Sequence, residues 1–175
     1  GTVIAEPFPY HDRNILSLYL QGRTIQETIQ LIQCDDFYTK EQCQNNLEQT
    51  FSNLAVREKE QKLDVQLTSF IRENFERYRL FHTFDHPSVA IIAFIAHSIL
   101  KLLGIGYEQD PNSFFTQPEV LHDYIFPIYP SLRRHLKLQF EFSSKYQCAF
   151  KKYCPEEVVE SFFRFYEKYP DWVKM

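Results

Sequence analysis

The sequence predicts a mainly α protein with minor β, an α/β fragment whose helical body surrounds a buried helix at 87–103. Short strands are expected near 2–5 and 79–84. Three observations carry this reading. Four glycines stand against 17 Phe and 11 Tyr, which points to aromatic packing and few tight turns. Apolar residues recur at spacings of three and four, the period of a core-facing helix stripe. Side chains suited to capping stand directly before those stripes.

The elements follow in order. Gly1 to Pro7 reads as a short strand, near 2–5, leading into a loop, and a lone first strand needs a sheet to join, which suggests preceding residues. Asp12 caps a short helix through Leu20 that Gly22 ends. Thr24 and Glu27 form the next capping box, ahead of Ile25, Ile29 and Ile32 on one face. Thr39 caps a longer helix with Cys43, Leu47, Phe51 and Leu54 facing the core. The charged run Arg57 to Lys62 reads as solvated.

Leu63, Leu67, Phe70, Ile71, Phe75 and Tyr78 form the cleanest helical stripe, ending near Tyr78. Arg79 to Phe84 has the length and composition of a buried strand. Pro87 suits the first turn of the following helix, which is apolar nearly all round, belongs in the core and stops at Gly104. Gly106 to Tyr129, with three prolines, reads as loop with one helical turn. Ser131 caps a helix carrying Leu132, Leu136 and Leu138, and residues 139–154 are ambiguous in secondary structure. Pro155-Glu156-Glu157 opens a last helix whose acidic start suits the helix dipole, with Val158, Phe162, Phe165 and Tyr166 toward the core.

Residues 1–175 read as one domain, long enough to bury a core. A hydrophobic content of 44% argues against disorder. The formal charge of −4 argues against a general nucleic-acid binder, whose footprint is basic. Cys34, Cys43, Cys148 and Cys154 lack metal-ligand spacing, so no metal is expected. They read as buried free thiols, fitting a reducing cytoplasm, although a Cys148–Cys154 disulfide stays open. The apolar run around Val89 to Ile95 falls short of the roughly 18 residues of a membrane span.

Candidate chemistry gathers at His82-Thr83-Phe84-Asp85-His86-Pro87-Ser88. Two imidazoles and a carboxylate beside a helix N-terminus offer a general base near an anion-favouring end. The same residues also read as ordinary caps and core histidines. Arg57, Glu58 and Asp64 form a second candidate: an arginine to grip a phosphate or carboxylate, with an acid to orient it. Against this stands a solvated helix face. Arg133 and Arg134, with His135 and Lys137, offer phosphate contacts or another solvated face. His97 and Lys101 share a helix face, and His97 reads as a core histidine.

The stretch Val56-Arg57-Glu58, Leu63-Asp64-Val65, Phe70-Ile71 and Arg79 through Ser88 resembles the closing pattern of WcbI-like polysaccharide-biosynthesis proteins. In that pattern an Arg-Glu pair and an Asp-Val lead to an (Asn/Asp)-His-Pro-(Ser/Thr) turn. Ile99-Leu100-Lys101-Leu102-Leu103-Gly104 and Ile128-Tyr129-Pro130 match as well, and the likeness is densest over 54–105. The resemblance implies the C-terminal half of a larger domain. It also implies coenzyme A or acetyl-coenzyme A as cofactor, and O-acylation of a sugar or polysaccharide acceptor in capsule assembly. His86, His82 and Asp85 are then catalytic candidates, and Arg57, Glu58, Asp64, Arg133 and Arg134 binding candidates. Family members carry a Gly-Asn-Cys turn after a first strand, similar to the nucleophile turn of SGNH-type esterases. No Gly-Asn-Cys occurs here, and Thr83 stands where those esterases place an Asp before the His-Pro.

Two functions follow. One is a coenzyme A-dependent acyltransferase or its coenzyme A-binding half. The other is a non-catalytic helical module that binds a partner protein or a glycan through its aromatic residues.

Overall fold

The computed structural model describes residues 10–106, 110–116, 118–120, 122–149 and 151–173. The strand expected at 2–5 lies outside them. The described chain is mainly helical with one two-stranded antiparallel hairpin.

Capping residues set the first three helices. Asp12 accepts from the Asn14 N–H at 2.8 Å and starts α1 (Arg13–Leu20). Thr24 and Glu27 close a reciprocal capping box on α2 (Ile25–Ile32). Thr39 and Gln42 do the same for α3 (Lys40–Glu60). Gly22 takes φ +75°, the left-handed conformation that ends α1 without a Cβ clash.

The expected long helix at 63–78 is shorter. Only α4 (Thr68–Asn74) forms, and Leu63 is 45% exposed in the turn before it. Periodicity marks compatible positions, yet Lys62 at φ +51° breaks the chain out of α3 and Leu63–Leu67 are spent returning it. The strand expected at 79–84 is also absent. The segment forms only the single bridge Phe81–Pro87, and the chain bends at 82–85 between its two ends.

Helix α5 (Val89–Leu102) forms where expected, but the body is not built around it. Ala90 and Ile91 are buried, whereas Ile99, Leu102 and Leu103 are 45%, 60% and 68% exposed. The short 3-10 helix Pro111–Phe115 covers one side of α5, and its C-terminal half projects past the core. Apolar composition signals a demand for burial and does not supply the neighbours that satisfy it.

The larger core gathers on α7 (Pro155–Lys168). Val158, Val159, Phe162 and Tyr166 are at most 1% exposed and pack with Ile15 and Leu18 of α1 and Ile29 and Ile32 of α2. A smaller core joins Phe70, Leu80, Ala90, Ile91 and Phe114. Helix α6 (Pro130–His135) starts at Pro130, one residue ahead of the expected Ser131 cap, and the Ser131 side chain is buried. The ambiguous stretch 139–154 holds the hairpin β1 (Tyr146–Cys148) and β2 (Lys151–Tyr153), with Tyr146 opposite Tyr153. A last turn, α8 (Pro170–Val173), follows α7.

Two connections tie the cores. Ile125 bridges Gln147 of β1, and the Phe126 N–H donates to the His82 carbonyl at 3.0 Å. Arg79 donates to the Phe126 carbonyl at 3.1 Å, and desolvation lowers its pKa from the usual guanidinium value. The segment 122–129 thereby runs between the turn at 82–88 and the main core.

Candidate functional site

The turn at 82–88 is closed by backbone bonds. His82 N–H donates to the His86 carbonyl at 2.9 Å, and Ser88 N–H to the Leu80 carbonyl at 2.8 Å. Inside the turn, the Thr83 hydroxyl oxygen accepts from the His86 N–H at 3.2 Å and, at 3.4 Å, from the Asp85 N–H. Such local side-chain acceptors substitute for a sheet ladder where the chain reverses.

Three side chains then form a triangle. The Thr83 hydroxyl donates to Asp85 Oδ1 at 2.7 Å. His86 Nδ1 lies 2.8 Å from Asp85 Oδ1 and 2.6 Å from Thr83 Oγ1. With the threonine hydrogen directed to the carboxylate, both neighbours of Nδ1 are acceptors, so the network selects the tautomer with hydrogen on Nδ1. Nε2 is left as a lone-pair acceptor on a side chain that stays 27% exposed. Tyr10 donates to the other carboxylate oxygen at 2.9 Å. Hydrogen bonds from Thr83, Tyr10 and His86 outweigh slight desolvation and hold the Asp85 carboxyl below its usual range. The same carboxylate raises the Tyr10 phenol.

His82 has a different setting. Its side chain is 5% exposed, with Nε2 3.0 Å from Glu119 Oε2. The same carboxylate oxygen accepts from the Val89 N–H, at the first turn of α5, at 3.0 Å. Glu119 therefore caps α5 from a distant loop, the role expected of Ser88 and Asp85. Ser88 sits at the N-cap but makes no side-chain cap bond. His82 is thus a buried support of the turn, while the His86 side chain stays 27% exposed.

Arg57, Glu58 and Asp64 are not brought together as a phosphate clamp. Glu58 is 5% exposed, against the expectation of a solvated run, and caps α4. Its carboxylate accepts from the N–H groups of Leu67 and Thr68 at 2.6 and 3.0 Å and from the Thr68 hydroxyl at 2.8 Å. Arg57 is exposed on the last turn of α3. Asp64 lines a hollow of about 410 Å³ with Ile95, Ile99 and Leu102 of α5.

Arg133 and Arg134 instead border a cavity of about 710 Å³, with Pro127, Tyr129, Phe142 and Tyr146 among its walls. The Arg133 guanidinium lies 4.5 Å from the Phe142 ring centre, leaving its N–H edges available. Arg134 reaches Asp36 at 3.1 Å in an exposed pair. Outside this lining, Tyr124 packs its ring 5.7 Å from that of His86, and Cys148 lies two residues along β1 from the cavity residue Tyr146. Burial pushes the Cys148 thiol up, and all four cysteines are free. Cys43 and Cys148 are buried as expected, but Cys34 is exposed. His97 is half-buried against Phe114 rather than enclosed in the core.

Thr83, Tyr10, Glu119 and Tyr124 escaped the sequence reading as site residues. Thr83 alone had a local signal, its position two residues before Asp85. Among the described residues no cluster of three or more His, Cys, Asp or Glu is placed to hold a metal, and no helix is long and apolar enough to cross a membrane.

The fold is a mainly helical scaffold that carries two features, the hydrogen-bonded turn at 82–88 and an arginine-bordered cavity whose lining includes no residue of that turn. The family model of the polysaccharide biosynthesis enzyme WcbI matches residues 2–108, and the chain belongs to this family. No curated protein sequence matches it. A solved structure of WcbI is similar, with TM-score 0.70 and 23% identity. It is described as a novel polysaccharide biosynthesis enzyme, the native protein without a disulfide bond between coenzyme A and a cysteine. The match covers 93% of this chain and 54% of that one, so the chain spans about half the length of this relative. At this identity the likeness establishes the fold alone.

Proposed function

We propose that the chain carries the coenzyme A-binding and proton-transfer part of a sugar O-acyltransferase in polysaccharide biosynthesis. The observation that carries the reading is the fixed His86 imidazole, with Nδ1 bound to Asp85 and Thr83 on a side chain that stays 27% exposed. The WcbI family membership and the coenzyme A in the description of the similar structure support the donor assignment.

The residues fit the group. A cavity of about 710 Å³ lies within the ~300–1,000 Å³ range of ligand sites. Arg133 and Arg134 would hold phosphates by charge-assisted bonds, and Phe142 and the tyrosines would face the base. When bound, acetyl-coenzyme A supplies an activated acyl group. His86 Nε2 takes the proton of an acceptor hydroxyl, and Asp85 stabilises the imidazolium that results. His82 and Glu119 hold the turn beneath that imidazole. Arg57, Glu58 and Asp64 are given no role in this step, since Arg57 is exposed on α3, Glu58 caps α4 and Asp64 lines a different hollow. No Gly-Asn-Cys turn occurs in the chain, so the reading assigns these residues proton transfer and no covalent step. Four free thiols suit a reducing compartment such as the cytoplasm.

The test is calorimetric titration with coenzyme A, followed by acetyl transfer to sugar acceptors. His86→Ala is expected to leave coenzyme A binding intact and lower turnover by about 10²-fold or more. Arg133→Ala with Arg134→Ala is expected to weaken binding by at least about tenfold, an effect that added salt reduces. Undiminished turnover in His86→Ala would remove the base assignment. Unchanged binding in the arginine variant would remove the cavity assignment.

A further inference from the structure

Asp85 and His86 are adjacent in sequence, and adjacent side chains on an extended strand point to opposite faces. Their pairing at 2.8 Å therefore needs a local device that bends the chain and fixes both rings of contacts. Thr83 supplies each part of it. Its oxygen accepts from the Asp85 and His86 N–H groups and so shapes the turn. Its hydrogen goes to Asp85 Oδ1, and its two lone pairs are shared between His86 Nδ1 at 2.6 Å and the longer backbone contacts. Thr83 is 6% exposed, whereas the Asp85 side chain is 42% exposed, so water competes for the carboxylate far more than for the hydroxyl.

We infer that Thr83 is a positioning residue that holds His86 in the tautomer with hydrogen on Nδ1. This rests on the reading of His86 as the base and adds the group that prepares it. The hydroxyl acts through its geometry: a donor fixed on the carboxylate and an acceptor fixed on the imidazole. Asp85 alone supplies the charge, but without the hydroxyl its carboxylate and the imidazole are each free to turn to water. A serine at position 83 keeps both functions. Valine keeps the shape and loses both.

The experiment reads the tautomer directly, by long-range proton–nitrogen NMR of the chain carrying ¹⁵N-histidine, with the His86 signals assigned by their loss in His86→Gln. In the unmodified chain Nδ1 is expected at the protonated position and Nε2 at the unprotonated one. Thr83→Val is expected to move the two resonances toward each other or exchange them in a chain that still folds but melts lower, because the Asp85 and His86 N–H groups lose their acceptor. Thr83→Ser is expected to restore the original pattern, and the rate of carbethoxylation of His86 by diethyl pyrocarbonate should fall in the valine variant and recover in the serine one. If Thr83→Val does not fold, Thr83→Ala against Thr83→Ser makes the same comparison. A folded variant lacking the hydroxyl, with the same His86 resonances as the unmodified chain, overturns the proposal. Acetyl transfer in His86→Ala tests the base separately: turnover there, with the tautomer still dependent on Thr83, would sink the catalytic reading and leave the positioning one standing.

Discussion

Asp85 is the residue on which the turn's charge balance depends. Thr83, Tyr10 and His86 donate to it and depress its carboxyl below the usual value near ~4. A carboxyl whose folded value lies below its unfolded one contributes stability that is complete above the unfolded value and lost as pH falls through the folded one. Asp85→Asn is therefore expected to destabilise the chain at pH 7, with the difference closing on acidification below about pH 4. Urea denaturation of both proteins at pH 7 and pH 3 checks this, and a difference that persists unchanged at pH 3 would count against it. The histidines differ for a reason visible only at this scale. Both precede the same helix, yet His82 is enclosed with Glu119 and His86 stays partly exposed.

At the scale of elements, two helices take their N-terminal caps from remote carboxylates. Glu58 caps α4 from the end of α3, and Glu119 caps α5 while also holding His82. Loss of a cap costs about 1–2 kcal/mol. Glu58→Ala is expected to cost at least this much, because it also leaves N–H groups of Leu67 and Thr68 without their acceptor, whereas Glu58→Gln should cost less. Chemical denaturation measures both, and an unperturbed Glu58→Ala would show that water replaces the carboxylate. Caps drawn from within three residues, at Asp12, Thr24 and Thr39, were legible in the sequence because donor and acceptor lie in one short window. The caps of α4 and α5 were not, since no local pattern records a partner 9 or 30 residues away.

Across the whole molecule, stability is concentrated on α7, where α1, α2 and the hairpin side meet. Phe162, 1% exposed, is expected to cost about 3–5 kcal/mol on truncation to alanine. Leu102→Ala, at the exposed end of α5, should cost little, within about 0.5 kcal/mol. Thermal unfolding of the two variants tests this contrast, and comparable losses would mean that the end of α5 is covered in solution. The site draws on this organisation: the segment 122–129 is clamped to the turn through His82 and Arg79 and to the main core through Gln147. The same segment places Tyr124 beside His86 and Tyr129 in the lining of the arginine cavity.

The sequence by itself determined what short-range physics controls: the helical class, the local caps, the buried face of α7 and the grouping of Thr83, Asp85 and His86 in one turn. Tertiary structure alone decided which apolar stripes find neighbours, so that α5 is exposed for half its length and α7 forms the centre. It also decided which carboxylates are consumed as caps and which arginines border a cavity. A side chain's chemistry is set by its own residue and its near neighbours. Its burial and its partners depend on segments far along the chain, and these the sequence specifies only through the fold.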